Sequence, residues 1–286
     1  MFTKKFTFSG FCIEFRSERI IENSHSFSDY LSDGEPDLTV NIIFDEIPER
    51  RGRLLYDGKS VQYYSFDGRE YMYSLYFVGK DYSYKTYALR VIDGENITLY
   101  INYDGGLWDS MVFEALGFPE LLIKRGRALI HSSYILYKGK AIIFSADKQV
   151  GKSTQASLWE KHRNALTVNG DRAILGFEKG VLHAYGAPFC GSSKVSRNVT
   201  APLGAIVLLR QAKENSVQKV GQAEAFRELL TKLTYNEHSI ESLEKAVSLT
   251  EKIVSLVPVY RLSCLPDEGA VEALERQLEK DGILQK

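Results

Sequence analysis

The alternation of apolar and polar positions changes rhythm near residue 106. Before that point, aromatic and β-branched residues recur at every second position in short runs broken by turn signals. Residues 61–66 (VQYYSF) lead into Asp67-Gly68 and then into 71–77 (YMYSLYF). Residues 87–92, Asp93-Gly94 and 97–101 repeat the design. Asp-Gly pairs tolerate the positive φ of tight hairpin turns, so both stretches predict hairpins. Residues 1–105 therefore read as a small antiparallel β domain. Its many tyrosines suit half-buried strand packing, or alternatively a binding face.

From Leu107 onward the period lengthens. Asp109–Leu116 predicts a helix, Gly117-Phe118-Pro119 interrupts it, and 120–124 resumes it. Strands are expected at 128–136 and 140–145, joined at Lys138-Gly139, with a helix at 153–161 and a buried strand at 165–168. Residues 173–177 and 181–185 flank Glu178-Lys179-Gly180 as a hairpin, and 203–209 is another apolar strand. Helical spacing returns near 222–234 (Phe226, Leu229, Leu230, Leu233) and at 239–256. A strand at 257–264 and a helix at 267–280, opened by Pro266, close the chain. Residues 106–286 thus read as one mixed α/β domain.

Between the strand at 140–145 and its helix lies Ala146-Asp147-Lys148-Gln149-Val150-Gly151-Lys152-Ser153-Thr154. This fits the [AG]-x-x-x-x-G-K-[ST] phosphate loop, and the strand–loop–helix setting is the one such loops require. In that role backbone N–H groups and the helix N-terminus cradle a phosphate. Lys152 reaches the β- and γ-phosphates, and the Ser153 hydroxyl is a magnesium ligand. No glycine stands at 147–150, where the turn visits positive φ, and strain there is on the order of 1 kcal/mol. If that strain limits binding, Gln149→Gly should tighten it. Asp147 adds a negative charge near the expected phosphates, which Lys148 is close enough to offset. The competing reading is a strand–turn–helix corner with an incidental GKST.

Asp171 follows the strand at 165–168, where a carboxylate can meet the metal and γ-phosphate or accept a hydroxyl proton. Asn169-Gly170-Asp171 is equally a plain turn sequence. A formal net charge of -1 over 286 residues gives no reason to expect nucleic acid or an acidic membrane as partner. No apolar stretch approaches the ~18 residues of a membrane helix, and no signal peptide is evident, so a cytoplasmic protein is expected. Cys12, Cys190 and Cys264 fit no zinc spacing and read as free thiols, and the histidines at 25, 162, 183 and 238 lack metal spacing as well.

The segments LIHSSYILYKGKAIIFSADKQVGKSTQASLW, VNGDRAIL and AYGAPFCGSS together resemble the bacterial HPr kinase-like proteins, which group with the phosphoenolpyruvate carboxykinases. The closing VPVYRLSCLPDEGAVEALERQL resembles the end of uncharacterised members, so the likeness covers residues 107–286. It implies a phosphate-loop domain that binds ATP and Mg²⁺ and phosphorylates a hydroxyl of a protein, peptide or small molecule. In that pattern Ala146, Gln149, Val150, Gly151, Lys152, Ser153 and Thr154 hold the nucleotide, and Ser153 and Asp171 the metal. His131 matches a histidine preceding the loop, and Asp171 and Arg172 match catalytic positions. The family's Asp-Asp pair reads Gly170-Asp171 here, leaving one carboxylate, with Asn169 or water filling in. No segment matches the part that recognises the HPr protein.

The turn-rich stretch 185–193 is an active-site loop or a connector. On the first reading Lys194 or Arg197 neutralises phosphate charge. Two functions remain open: a kinase, and a degenerate nucleotide- or phosphate-binding protein without transfer. Carboxykinase activity itself would need arginines and metal ligands for which the chain is too short. A homo-oligomer is compatible with everything above.

Overall fold

A computed structural model describes residues 1–78 and 83–285. The chain is mixed α/β and divides into two compact units, Met1–Phe118 and Pro119–Lys286.

The first unit carries an eight-stranded sheet among the described residues. Its strands are β1 (Phe2–Phe8), β2 (Phe11–Ser17), β3 (Leu38–Phe44), β4 (Arg53–Asp57), β5 (Val61–Phe66), β6 (Arg69–Val78), β7 (Ser83–Asp93) and β8 (Asn96–Ile101), in spatial order β1-β2-β3-β8-β7-β6-β5-β4. The expected hairpins are present, with Asp67 and Gly68 at φ 50 and 70 between β5 and β6. The expected all-antiparallel arrangement is not: β2–β3 and β3–β8 are parallel ladders. Long connections allow this, where a hairpin turn would impose antiparallel pairing. Alternation in β1 turns Phe6 and Phe8 inward. There they meet Phe15, Phe27 and Phe113, with Phe113 ring centroids 5.3 and 5.1 Å from those of Phe6 and Phe8. Phe113 lies on α1 (Asp109–Leu116), so this helix packs within the first unit, although its sequence texture groups it with the second half. Of the tyrosines, Tyr63, Tyr73 and Tyr87 are buried and Tyr76 and Tyr84 exposed.

After α2 (Phe118–Lys124), the second unit opens with β9 (Arg127–Tyr137) and β10 (Lys140–Ser145), then α3 (Lys152–Arg163), β11 (Leu166–Asn169), β12 (Arg172–Glu178) and β13 (Val181–Gly186). It continues with β14 (Thr200–Gln211), β15 (Ser216–Lys219), α4 (Gln222–Leu230), β16 (Leu233–Thr234), α5 (Ile240–Leu256), β17 (Val259–Cys264) and α6 (Glu268–Lys280). The apolar run Ala-Ile-Ile-Phe of β10 is buried on both faces. Ile143 joins a core with Leu229 and Ile253 on one side, while Ile142 and Phe144 join Trp159 and Leu274 on the other. A strand covered on both faces needs no alternation, which is why the run reads as continuous. β10, β14 and β17 form a parallel set, and β14 changes partners along its length from β13 to β10 and β17. The helix expected through residue 234 ends at Leu230, because Leu233 and Thr234 pair instead with Ile130 and Leu129 of β9. Among the described residues, no helix is long and apolar enough to cross a membrane.

Candidate phosphate-binding site

The candidate site lies where β9 exchanges neighbours. Residues 127–131 of β9 pair with β12, whereas 132–137 pair with β10. Loops leaving the ends of β10 and β11 therefore diverge around His131, as at the switch points where open α/β sheets take their ligands. A cleft of about 450 Å³ opens there, lined on one side by Lys148, Gln149, Gly151, Lys152, Ser153 and Thr154. His131, Gly170, Asp171, Ser192 and Ser193 line the other side.

The loop has the backbone such a site needs. Gln149 is left-handed at φ 66, although it is not glycine, and Gly151 follows at φ 122 as the N-cap of α3. No side chain caps this helix, so its first-turn N–H groups are left for the cleft. Lys152 is 8% exposed, and its ammonium donates to the carbonyls of Ala146 and Asp147 at 3.2 and 3.3 Å. Burial lowers its pKa, Asp171 opposes that shift, and Lys232 and Arg172 add to it. Ala146 itself is buried in the core, and Val150 faces a second cleft of about 390 Å³. That cleft is lined by Gln155, Leu209, Ala212, Leu265 and Pro266 as well as the loop.

Opposite Lys152, Asp171 Oδ1 lies 3.2 Å from His131 Nε2, and its Oδ2 is 3.5 Å from Arg172 Nε. His131 and Arg172 are cross-strand partners. Burial lowers the His131 pKa, with Lys152 and Arg172 reinforcing the shift and Asp171 opposing it. The 3.2 Å contact is what a neutral imidazole with its proton on Nε2 makes when it donates to the carboxylate.

Asn169 does not supply a replacement ligand. It is fully buried, its Oδ1 accepts the backbone N–H groups of Asp171 and Arg172, both at 2.8 Å, and its Nδ2 donates to Ala187 and Phe189 carbonyls. Its amide is consumed in shaping the turn that presents Asp171 and in tying down the stretch 187–189. The second carboxylate of the kinase pattern has no room either. A Cβ at Gly170 would lie 2.4 Å from Ser193 Cβ and Oγ. The stretch 185–193 therefore belongs to the site through Ser192 and Ser193. Lys194 and Arg197 are not among the residues lining the cleft. Arg197 instead donates to the Thr167 carbonyl.

Asp147 is answered by Lys232, whose ammonium donates to its carboxylate, and not by Lys148. This contact holds the Asp147 carboxyl below the usual range. Lys232 lies in the segment read as helix, and only the β16–β9 pairing brings it here. For a metal, the donor set is one hydroxyl and one carboxylate: Ser153 Oγ donates to the Gly170 carbonyl at 3.3 Å, next to Asp171. Such hard oxygens fit a magnesium ion that takes the rest of its shell from phosphate and water. Among the described residues no group of three or more His, Cys, Asp or Glu forms a protein-only cage. Cys12, Cys190 and Cys264 are free thiols.

No family model matches the chain, and no curated protein matches it. Among solved structures, it is similar to the HPr(Ser) kinase/phosphatase from Coxiella burnetii, with 11% identity. The match covers 54% of this chain and 94% of that one at a TM-score of 0.32. That likeness is too loose to carry a fold or a chemistry.

Proposed function

We propose that this chain is an ATP- and magnesium-dependent phosphotransferase that moves a terminal phosphate onto a hydroxyl group. The acceptor is a serine of a small protein or peptide, or a small molecule. The observation that carries this reading is one cleft lined by a phosphate loop with its lysine and, across from it, by the His131–Asp171 pair.

In this reading the loop backbone, Lys152 and the start of α3 bind the β- and γ-phosphates, and the second cleft takes the nucleoside. Ser153 and Asp171 would hold magnesium, which supplies neutralisation of phosphate charge when bound. Asp171 orients the acceptor hydroxyl and takes its proton as the new O–P bond forms and the bond to the β-phosphate oxygen breaks, releasing ADP. His131 holds the carboxylate in place through Nε2–H.

Calorimetry with ATP and ADP, with and without magnesium, tests the binding half. Lys152→Ala should weaken Mg-ATP by roughly a hundredfold. Asp171→Asn should keep ATP affinity but slow release of labelled γ-phosphate about a hundredfold. The crowding of Ser193 against Gly170 favours a second reading, nucleotide binding without transfer. Lys152-dependent binding with no release from the unaltered protein in any condition would select it. Binding of neither nucleotide at roughly millimolar concentration would remove both readings.

A further inference from the structure

We infer that Lys232 is a second phosphate-binding cation, placed to read the terminal phosphate, and that Asp147 is the protein's own competitor for it. The inference rests on the nucleotide reading above and adds a discriminating residue to it.

The direction of the nucleotide along the loop follows from Lys152. Its ammonium lies on the carbonyls of Ala146 and Asp147, at the front of the loop. The lysine of a phosphate loop serves the β- and γ-phosphates, so the front is the terminal phosphate's end. The opposite end, at Thr154 and Gln155, opens to the second cleft. Lys232 meets the loop at that front, on the Asp147 carboxylate and just outside the residues that line the cleft. Two ammonium groups therefore converge on Asp147, Lys152 on its carbonyl and Lys232 on its carboxylate.

Lys232 is held in place by its main chain. Its N–H donates to the Leu229 carbonyl at 2.9 Å, and its own carbonyl accepts the His131 N–H at 3.0 Å. It is thus anchored to the strand that carries His131. Its side chain is 17% exposed, against 83% for Asp147. A pair with one member so open to water contributes little and yields readily to a stronger anion. A terminal phosphate carries more charge than a carboxylate and offers several acceptor oxygens. The surroundings favour the exchange: Lys152 and Lys232 both approach Asp147, and Arg172 lies against Asp171. Asp147 is free to swing to solvent, whereas Lys232 is fixed at its backbone.

The test is calorimetry with Mg-ATP and Mg-ADP on the unaltered protein, Lys232→Met, Lys232→Arg, Asp147→Asn and Lys152→Ala. Lys232→Met should weaken ATP about tenfold and leave ADP within about threefold, with Lys232→Arg recovering most of the loss. Asp147→Asn, at an exposed position that leaves the fold intact, should tighten ATP several-fold by freeing Lys232. An unchanged ATP-to-ADP ratio in Lys232→Met, or weaker ATP binding in Asp147→Asn, overturns the inference. Binding of neither nucleotide by the unaltered protein removes the nucleotide reading and this inference with it. Lys152-dependent binding indifferent to Lys232 and Asp147 removes the inference alone.

Discussion

The two units treat charge in opposite ways. In the first, Arg90 is fully buried, and its guanidinium donates to Glu70 at 2.8 Å and to the Leu116 carbonyl at 2.9 Å. Gly117, at φ 66, allows this approach, since a Cβ there would sit 2.5 Å from the guanidinium. Asp109, also buried, accepts from the Ser24 hydroxyl and N–H. Each charge is answered by partners fixed within the same unit. In the second unit Lys152 is nearly as buried, yet it rests on two carbonyls that leave its charge uncancelled, Asp171 and His131 line the same cleft, and Lys232 sits on the Asp147 side chain of the loop. Burial alone does not mark a functional charge. What marks it is a charge whose partners are neutral, or displaceable, on the side where a ligand can enter.

The largest effects should separate the two arrangements. Arg90→Met leaves Glu70 and the Leu116 carbonyl without their donor and should destabilise the protein by about 3 kcal/mol in a denaturant melt. In the folded variant, ATP affinity should stay unchanged. Lys152→Ala should do the reverse, losing ATP while keeping or raising the melting temperature, because it removes a desolvated ammonium. If Lys152→Ala melts far below the unaltered protein, the lysine is structural like Arg90 and the contrast fails.

A smaller effect concerns His131. Its pKa is lowered from 6.5 by burial, then by Lys152 and Arg172. The unfolded chain therefore takes up a proton near pH 6.5 that the folded chain refuses, and stability should fall as pH drops through that value towards the folded midpoint. Imidazole NMR should give a midpoint below 6.5, moving up in Arg172→Gln as one neighbouring cation is lost. A midpoint at or above 6.5 would mean that Asp171 dominates and the pair is ionic. The acid limb of any phosphate release should follow the same midpoint.

The sequence made part of this site legible and hid the rest for definite reasons. GKST after Ala-Ile-Ile-Phe is local: one strand, one turn and the start of one helix declare the loop within a dozen or so residues. Asp171 is legible from its place after a strand and from the resemblance, and His131 from the resemblance alone. Lys232 was invisible, because a two-residue strand carries no periodicity and its pairing with β9 is a tertiary choice. The crowding of Ser193 on Gly170 was equally hidden, since it depends on where a turn-rich segment lands. In the first unit the hairpins were local and readable. The parallel pairing of β3 with β2 and β8 was not, because register between distant strands is set by the whole sheet.

The smallest effect returns to a backbone device used in both units. Asp67 in the first unit and Gln149 in the second both hold positive φ without being glycine, at 50 and 66. At Asp67 the conformation serves a hairpin turn, while at Gln149 it shapes the loop between β10 and α3. A left-handed residue of this kind costs about 1–2 kcal/mol, but a glycine adds about 0.5–1 kcal/mol of unfolded-chain entropy, so the two terms largely cancel. The loop already holds Gln149 at φ 66, so the strain belongs to folding and not to binding. Gln149→Gly should therefore shift stability by less than about 1 kcal/mol and leave ATP affinity within about twofold. This differs from the tighter binding that the missing glycines suggest on sequence grounds. Affinity improved about fivefold, with an unchanged melt, would mean that the loop reaches its binding conformation only on the ligand, and that the charges of the second unit are not preorganised as the structure has them.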